Sequence, residues 1–186
     1  MTERGRLTLR HLGTDNVDDF RALLTSPPHG WCWCVAWEVP TWTGWADRTE
    51  EQNRTLREAL WTRGEFHARL FYLDGEPIAW CRIGPRATWP KLCETFRLDP
   101  AEPVHAFTCF GIKEEHRGRG WMHEAMRLTL DDLARQGVKS VEGFPRKLSG
   151  AAPPSEVWMG SLGLFRRAEF VKVGESETSI HMMKKL

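Results

Sequence analysis

Residues 104–126 read "VHAFTCFGIKEEHRGRGWMHEAM", and the pattern changes inside them. Val104 to Ile112 is a run of apolar and aromatic residues, which predicts a buried strand over 104–112. From Met122 the apolar positions recur at Ala125, Met126, Thr129, Leu130 and Leu133, the spacing of an amphipathic helix that Gly137 ends. Between strand and helix stand Arg117, Gly118, Arg119 and Gly120. A helix N-terminus carries unpaired N–H groups and a partial positive charge. Glycines let the backbone turn those groups toward a ligand without a Cβ in the way. Arginines add donors that match phosphate oxygens. The loop therefore predicts a phosphate or pyrophosphate cradle; the alternative is a solvated strand–helix turn.

Further elements follow on both sides. "RLTLRHL" (6–12) alternates as a strand does. A helix runs from Asp15 to about residue 24, and "TSPPHG" (25–30) breaks it. Thr49-Glu50-Glu51-Gln52 is a capping-box pattern that opens a helix to Gly64. Residues 65–73 and 78–84, joined by "DGEP", read as a hairpin. The stretch 85–103 reads as a long loop, 138–144 as a strand and 145–154 as a loop. A helix is expected over 155–168, then strands near 169–174 and 178–184. The order β-α-α-β-β-β-α-β-α-β-β predicts an α/β (α+β) fold with a mixed sheet of about seven strands and about four helices.

Composition sets bounds. The chain has 186 residues, 41% of them hydrophobic, and a formal net charge of +1. That length suits a single domain over 1–186. A charge near zero supplies no global field for nucleic acid or an anionic membrane. No apolar run is long enough to span a bilayer, and the first residues lack an apolar leader, so a cytoplasmic protein is expected. Five cysteines then read as free thiols. Ten tryptophans stand out, five of them at positions 31, 33, 37, 42 and 45.

A Walker loop would need a Gly-Lys-Ser/Thr ending, which is absent. A dinucleotide fingerprint would need a glycine where His123 stands. Arg117-Gly118-Arg119-Gly120-Trp121-Met122 instead resembles the R/Q-x-x-G-x-G/A loop of the GNAT acyltransferase superfamily, with Met122 replacing the last small residue. "LFRRAEF" (164–170) is similar to that family's Y-x-x-x-G-F ending of the last helix. A smaller GNAT subgroup is resembled at Cys32-Trp33-Cys34-Val35-Ala36-Trp37, Pro85-Arg86, Cys109-Phe110-Gly111-Ile112 and Glu142-Gly143-Phe144-Pro145.

The resemblance implies one GNAT-like domain with a bent sheet. It would transfer an acyl group, taken as acetyl, from acyl-CoA to an amine of a small molecule. Arg117, Gly118, Arg119, Gly120, Trp121 and Met122 would hold the diphosphate. Phe110, Gly111 and Ile112 would pair with the pantetheine arm and supply an oxyanion-stabilising N–H. The family's general-acid tyrosine is replaced by Phe165, which leaves Ser161, directly or through water, or solvent itself as the proton donor. Glu142 is the first candidate base, ahead of His105, Glu38 and Glu94; the alternative for it is a surface or structural carboxylate. Trp33, Trp37 and Cys34 are expected to border the acceptor, with stacking or cation–π contacts favouring a flat or cationic substrate; the alternative is a tryptophan lid packed on the hairpin.

No metal is expected, because Cys32-x-Cys34 has neither the spacing nor the four ligands of a structural zinc site. A thiol carrying the acyl group, or a redox pair of Cys32 and Cys34, are the sharper cysteine readings; packing among tryptophans is the plainer one. The remaining alternatives are a non-catalytic module of GNAT fold that binds acyl-CoA or an aromatic ligand, and a protein or tRNA acyltransferase. A homodimer is a further expectation.

Overall fold

A computed structural model describes residues 5–25, 30–148, 153 and 156–186. Its strands are β1 (Leu7–His11), β2 (Arg69–Leu73), β3 (Glu76–Pro85), β4 (His105–Ile112), β5 (Ser140–Gly143), β6 (Val171–Glu175) and β7 (Ile180–Lys185). The helices are α1 (Val17–Thr25), α2 (Glu50–Thr62), α3 (Pro90–Phe96), α4 (Trp121–Arg135) and α5 (Leu162–Arg167). All strands join one sheet in the order β1-β2-β3-β4-β5-β7-β6. Neighbours are antiparallel except β4 and β5, which run parallel. The expected mixed sheet of seven strands is present.

Alternation along each strand sorts the core onto two faces. On β2, Leu70 and Tyr72 join a cluster with Phe20, Leu23 and Leu24 of α1 and Leu60 of α2. Phe71, between them, joins the opposite cluster with Ala125, Met126, Leu130 and Leu133 of α4. The α4 period read from the sequence is therefore the buried stripe of that helix. Thr49 caps α2 through a complete capping box with Gln52. The β2–β3 hairpin turns on Asp74 and Gly75, both at positive φ, as a two-residue turn that follows strand twist requires.

Two expectations change. The stretch 85–103 contains α3, because Pro90 opens the helix at a first-turn position, where its missing N–H costs nothing. Arg97 then closes α3 in the left-handed region. Of the helix expected over 155–168, residue 155 lies outside the described residues, and within the remainder the α-helix covers Leu162–Arg167. Gly160, at φ 87°, turns the chain just before Ser161 caps α5. Among the described residues there are thus five α-helices where about four were expected.

The sheet departs from regularity in two ways that shape the site. The β3–β4 register passes from Arg82↔Cys109 to Ile83↔Phe107, so Thr108 is an extra, bulged residue. The bulge lets Phe107 and Phe110, three apart, face the same side and stack at 5.1 Å. Beyond it, β4 and β5 part company. They pair only at His105↔Val141 and Ala106↔Glu142, while β4 continues to Ile112.

Candidate active site

Strand alternation fixes what the open edge of β4 presents. Lys113 N–H donates to the Ile78 carbonyl on β3 at 2.9 Å. Phe110 and Ile112, at alternate positions, therefore turn their N–H and C=O groups the other way, into the gap left by β5. Phe110 N–H meets the Trp158 carbonyl there at 2.7 Å. The Ile112 carbonyl accepts from Arg117 Nη2 at 3.4 Å. Gly111 is needed for packing on the other face: a Cβ there would lie 2.1 Å from the Trp80 ring.

A cavity of about 250 Å³ lies along this edge. Phe110, Gly111, Ile112, Arg117 and Met122 line one side; Val157, Gly160, Ser161 and Leu164 line the other. It meets the Gly-Arg loop, where a 3₁₀ turn (Glu114–His116) leads through Gly118 at φ 70° and Gly120 at φ 81° into α4. Only glycine adopts that conformation without strain, and the turn leads directly into the first turn of α4. On the far side of the loop an open cavity of about 820 Å³ is lined by Gly118, Arg119, Gly120, His123, Arg127 and Arg167. His123, Arg127 and Arg167 were not singled out from the sequence. The first two follow the loop at helical spacing, a signal that was readable. Arg167 arrives from α5 through tertiary packing alone. Trp121 packs in the core beneath the loop.

Ser161 sits on the smaller cavity as the N-cap of α5, its Oγ accepting from Leu164 N–H at 3.1 Å. Because the oxygen is the acceptor in that bond, the hydroxyl hydrogen is left to donate elsewhere. Phe165, at the position of the expected acid, is fully buried. It packs edge-on against Phe107, Phe110 and Phe170. Tyr72 is far along the sheet, donating to Asp19 Oδ2 at 2.7 Å.

Glu142 is fully buried. Its Oε2 accepts from Arg86 Nη2 at 2.7 Å and lies 2.8 Å from His181 Nε2, while Oε1 has no partner. Arg86, also buried, reaches Glu102 Oε2 at 2.8 Å. Glu142 pairs with Ala106, four residues before Phe110, which places it roughly 10 Å or more down the strand from the open edge. Glu142 thus faces an enclosed guanidinium, away from the open edge. Of the weaker base candidates, Glu94 is exposed on α3, while Glu38 and His105 are engaged or partly enclosed. Glu38 Oε1 accepts from Arg82 and Trp89, and burial pushes His105 below its usual pKa.

The tryptophans divide. Trp33 lies in the α1–α2 core, its Nε1 donating to Glu50, and Cys34 is buried beside it; neither lines a cavity seen among the described residues. Trp37 does. With Trp42, Phe96, Trp158 and Met159 it lines a cavity of about 320 Å³ whose rim includes Glu177. The same tryptophans already hold a cation. Lys91 Nζ sits 3.6 Å from the Trp42 ring centre and 5.6 and 5.7 Å from those of Trp37 and Trp45, and donates to the Ala36 carbonyl. One end of the cluster is an internal cage, the other faces the groove. Residues Val157–Gly160 form the wall between this groove and the β4 cavity. Among the described residues, the cluster fit to hold a metal ion is Glu76, Glu115 and His116 at the surface, where Glu76 already pairs with Lys113. No helix of the described residues is long and apolar enough to cross a membrane.

The splayed parallel pair, the bulged strand and the glycine turn into a helix define a class. A family model for the acetyltransferase (GNAT) family matches residues 23–145, and the chain belongs to that family. Its fold is shared by an aminoglycoside acetyltransferase solved with coenzyme A, at 17% identity and TM-score 0.60, over 97% of this chain and 95% of that one. The Thermoplasma acidophilum PaiA N-acetyltransferase, also solved with coenzyme A, is similar at 10% identity and TM-score 0.55, over 97% and 99%. An uncharacterised Bacillus halodurans protein is similar at 12% identity and TM-score 0.63, over 97% and 84%. A search of curated proteins found no match. Family and fold support acyl-CoA-dependent acetyl transfer.

Proposed function

We propose that the protein transfers an acetyl group directly from acetyl-CoA to an amine carried on a flat or apolar small molecule. The observation that carries this reading is the open edge of β4 running into the Gly-Arg loop. The pantetheine arm lies along Phe110–Ile112, accepting and donating main-chain hydrogen bonds as an added strand does. Arg117, Arg119 and the amides of Gly118–Met122 hold the diphosphate. Arg127 and Arg167 face the remaining phosphate of the nucleotide.

At the thioester, the neutral amine attacks the carbonyl carbon. The Ile112 N–H stabilises the developing oxyanion. The tetrahedral adduct collapses by breaking the C–S bond, and the Ser161 hydroxyl donates to the departing thiolate. The proton lost by the nitrogen leaves through water in the open groove. The acceptor body lies against Trp37, Phe96 and Trp158, with the Glu177 carboxylate at the rim favouring a cationic end. For the amine to reach the thioester, Val157–Gly160 gives way and the Trp158 carbonyl releases Phe110.

Calorimetric titration with acetyl-CoA tests the cradle, and release of free coenzyme A across a panel of arylalkyl amines tests transfer. Each charge-assisted phosphate contact is worth about 1.5–3 kcal/mol. The Arg117→Ala, Arg119→Ala double variant should therefore bind acetyl-CoA at least 100-fold more weakly. Equal affinity in folded wild type and variant would remove the cradle. Tight binding without turnover on any amine would favour a binding module, the reading to which the occupied Phe110 N–H and the buried Phe165 lend weight.

A further inference from the structure

The acetyl-transfer reading makes no use of the thiols, yet two of them are brought together from distant parts of the chain. Cys34 Sγ and Cys109 Sγ lie 2.9 Å apart, in hydrogen-bond contact across 75 positions of sequence. Cys34 is held there by unusual backbone: Trp33 at φ 45° and Cys34 at φ 57° are consecutive non-glycine residues in the left-handed region. Such conformations cost on the order of 1 kcal/mol each and persist where surrounding structure enforces them. Arg82 Nη1 clamps the turn by donating to the Cys34 carbonyl at 2.9 Å.

The surroundings favour a sulfur anion. Trp80 Nε1–H donates to Cys34 Sγ at 3.1 Å. Arg57 is wholly buried nearby, and its Nε and Nη2 have no hydrogen-bond partner. Burial alone would raise the Cys34 thiol. The Cys109 sulfhydryl, the Arg82 charge, the Trp80 N–H and the Arg57 charge outweigh it and hold Cys34 below the usual thiol value. Cys109 moves the other way, raised by its bond to Cys34 and by burial. Cys32, the closest thiol in sequence, is pushed up to about 12, first by burial and then by the Cys34 charge. A nucleophile beside a protonated partner is the arrangement of a working dithiol.

We propose that Cys34 and Cys109 form a redox-active dithiol site that closes to a disulfide on reaction with a small hydroperoxide. The two residues are 5% and 6% exposed, too enclosed to meet a protein disulfide, so the oxidant has to be a small molecule. The Cys34 sulfur attacks the peroxide oxygen; the O–O bond breaks, leaving a sulfenic acid on Cys34 and releasing an alcohol, or water from hydrogen peroxide. The Cys109 sulfur then attacks the sulfenyl sulfur, the S–S bond forms and a water departs. Two thiols lose two electrons and one peroxide gains them. The bond ties the loop bearing Trp37 to the strand bearing Phe110. Cys32 takes no part, unlike the pairing with Cys34 that adjacency in sequence suggests.

Stoichiometric hydrogen peroxide, added to the native reduced protein, tests this. Two of the five free thiols should disappear. Non-reducing peptide mass analysis should join the Cys34 and Cys109 peptides, and dithiothreitol should reverse the link. Cys32→Ser should still close. Cys109→Ser should stop at a sulfenic acid on Cys34 that dimedone captures. Retention of all five thiols in folded wild-type protein would overturn the proposal, as would a link between Cys32 and Cys34. Both readouts use wild-type protein, so they stand even where a variant fails to fold, and neither depends on acetyl transfer.

Discussion

Glu142 illustrates how one side chain reads differently with its neighbours known. In sequence it is a carboxylate ending a strand near the expected acyl site. In space it faces Arg86, 2.7 Å away and also enclosed, which points to a structural task that can be tested. Glu142→Gln should destabilise the protein by about 3 kcal/mol, since one buried charge loses its partner, and leave kcat of the folded fraction within a few fold. An unchanged melting temperature with a 100-fold fall in kcat would restore the role of base. Lys91 offers a second test. Burial pushes its ammonium down to about 8 from the usual 10.5, with Glu38 opposing. Between those values the unfolded chain binds more protons than the folded one, so stability rises with pH through that window. Lys91→Met should lack this rise, as thermal melts from pH 7.5 to 10.5 would show. Neither partnership was legible, because ion pairs and cages are made between elements. The glycines and arginines of the α4 loop were legible, because their chemistry is local.

The α4 helix and its loop were readable for another reason: fifteen residues repeat one period long enough to fix both faces. The seven residues of α3 hold under two turns, and the prolines around it masked a proline that begins a helix. Loss of the expected helix before Ser161 changes what that serine does. It is a cap at the mouth of a cavity. Ser161→Asn keeps a capping oxygen, so stability should fall by less than about 1 kcal/mol. It removes the hydroxyl, so kcat should fall while the KM for acetyl-CoA holds. A variant as active as wild type would discharge Ser161 as the proton donor and leave that task to water.

The mixed sheet could be read at the scale of the whole molecule, since the order of elements alone restricts its topology. The place where it opens could not. It depends on where β4 and β5 stop pairing and on one bulged residue, Thr108, which leaves no mark in composition or period. A ligand that fills this opening in the folded state alone stabilises it by mass action. Acetyl-CoA at a hundred times its Kd should add about 2.7 kcal/mol, a rise of roughly 5–10 °C in melting temperature for a chain of this size. No shift at saturating acetyl-CoA would count against the β4 site.

The wall between the two cavities is also an optical reporter. Trp158, whose carbonyl holds Phe110, has its indole 6.0 Å from that of Trp37, which in turn lies 5.0 Å from Trp42. Indoles this close share excitation, and their ultraviolet transitions couple with a sign and strength set by mutual angle. Any event that frees the Phe110 N–H turns one member of that coupled set. The near-ultraviolet circular dichroism of the unlabelled protein therefore registers the opening of its own site.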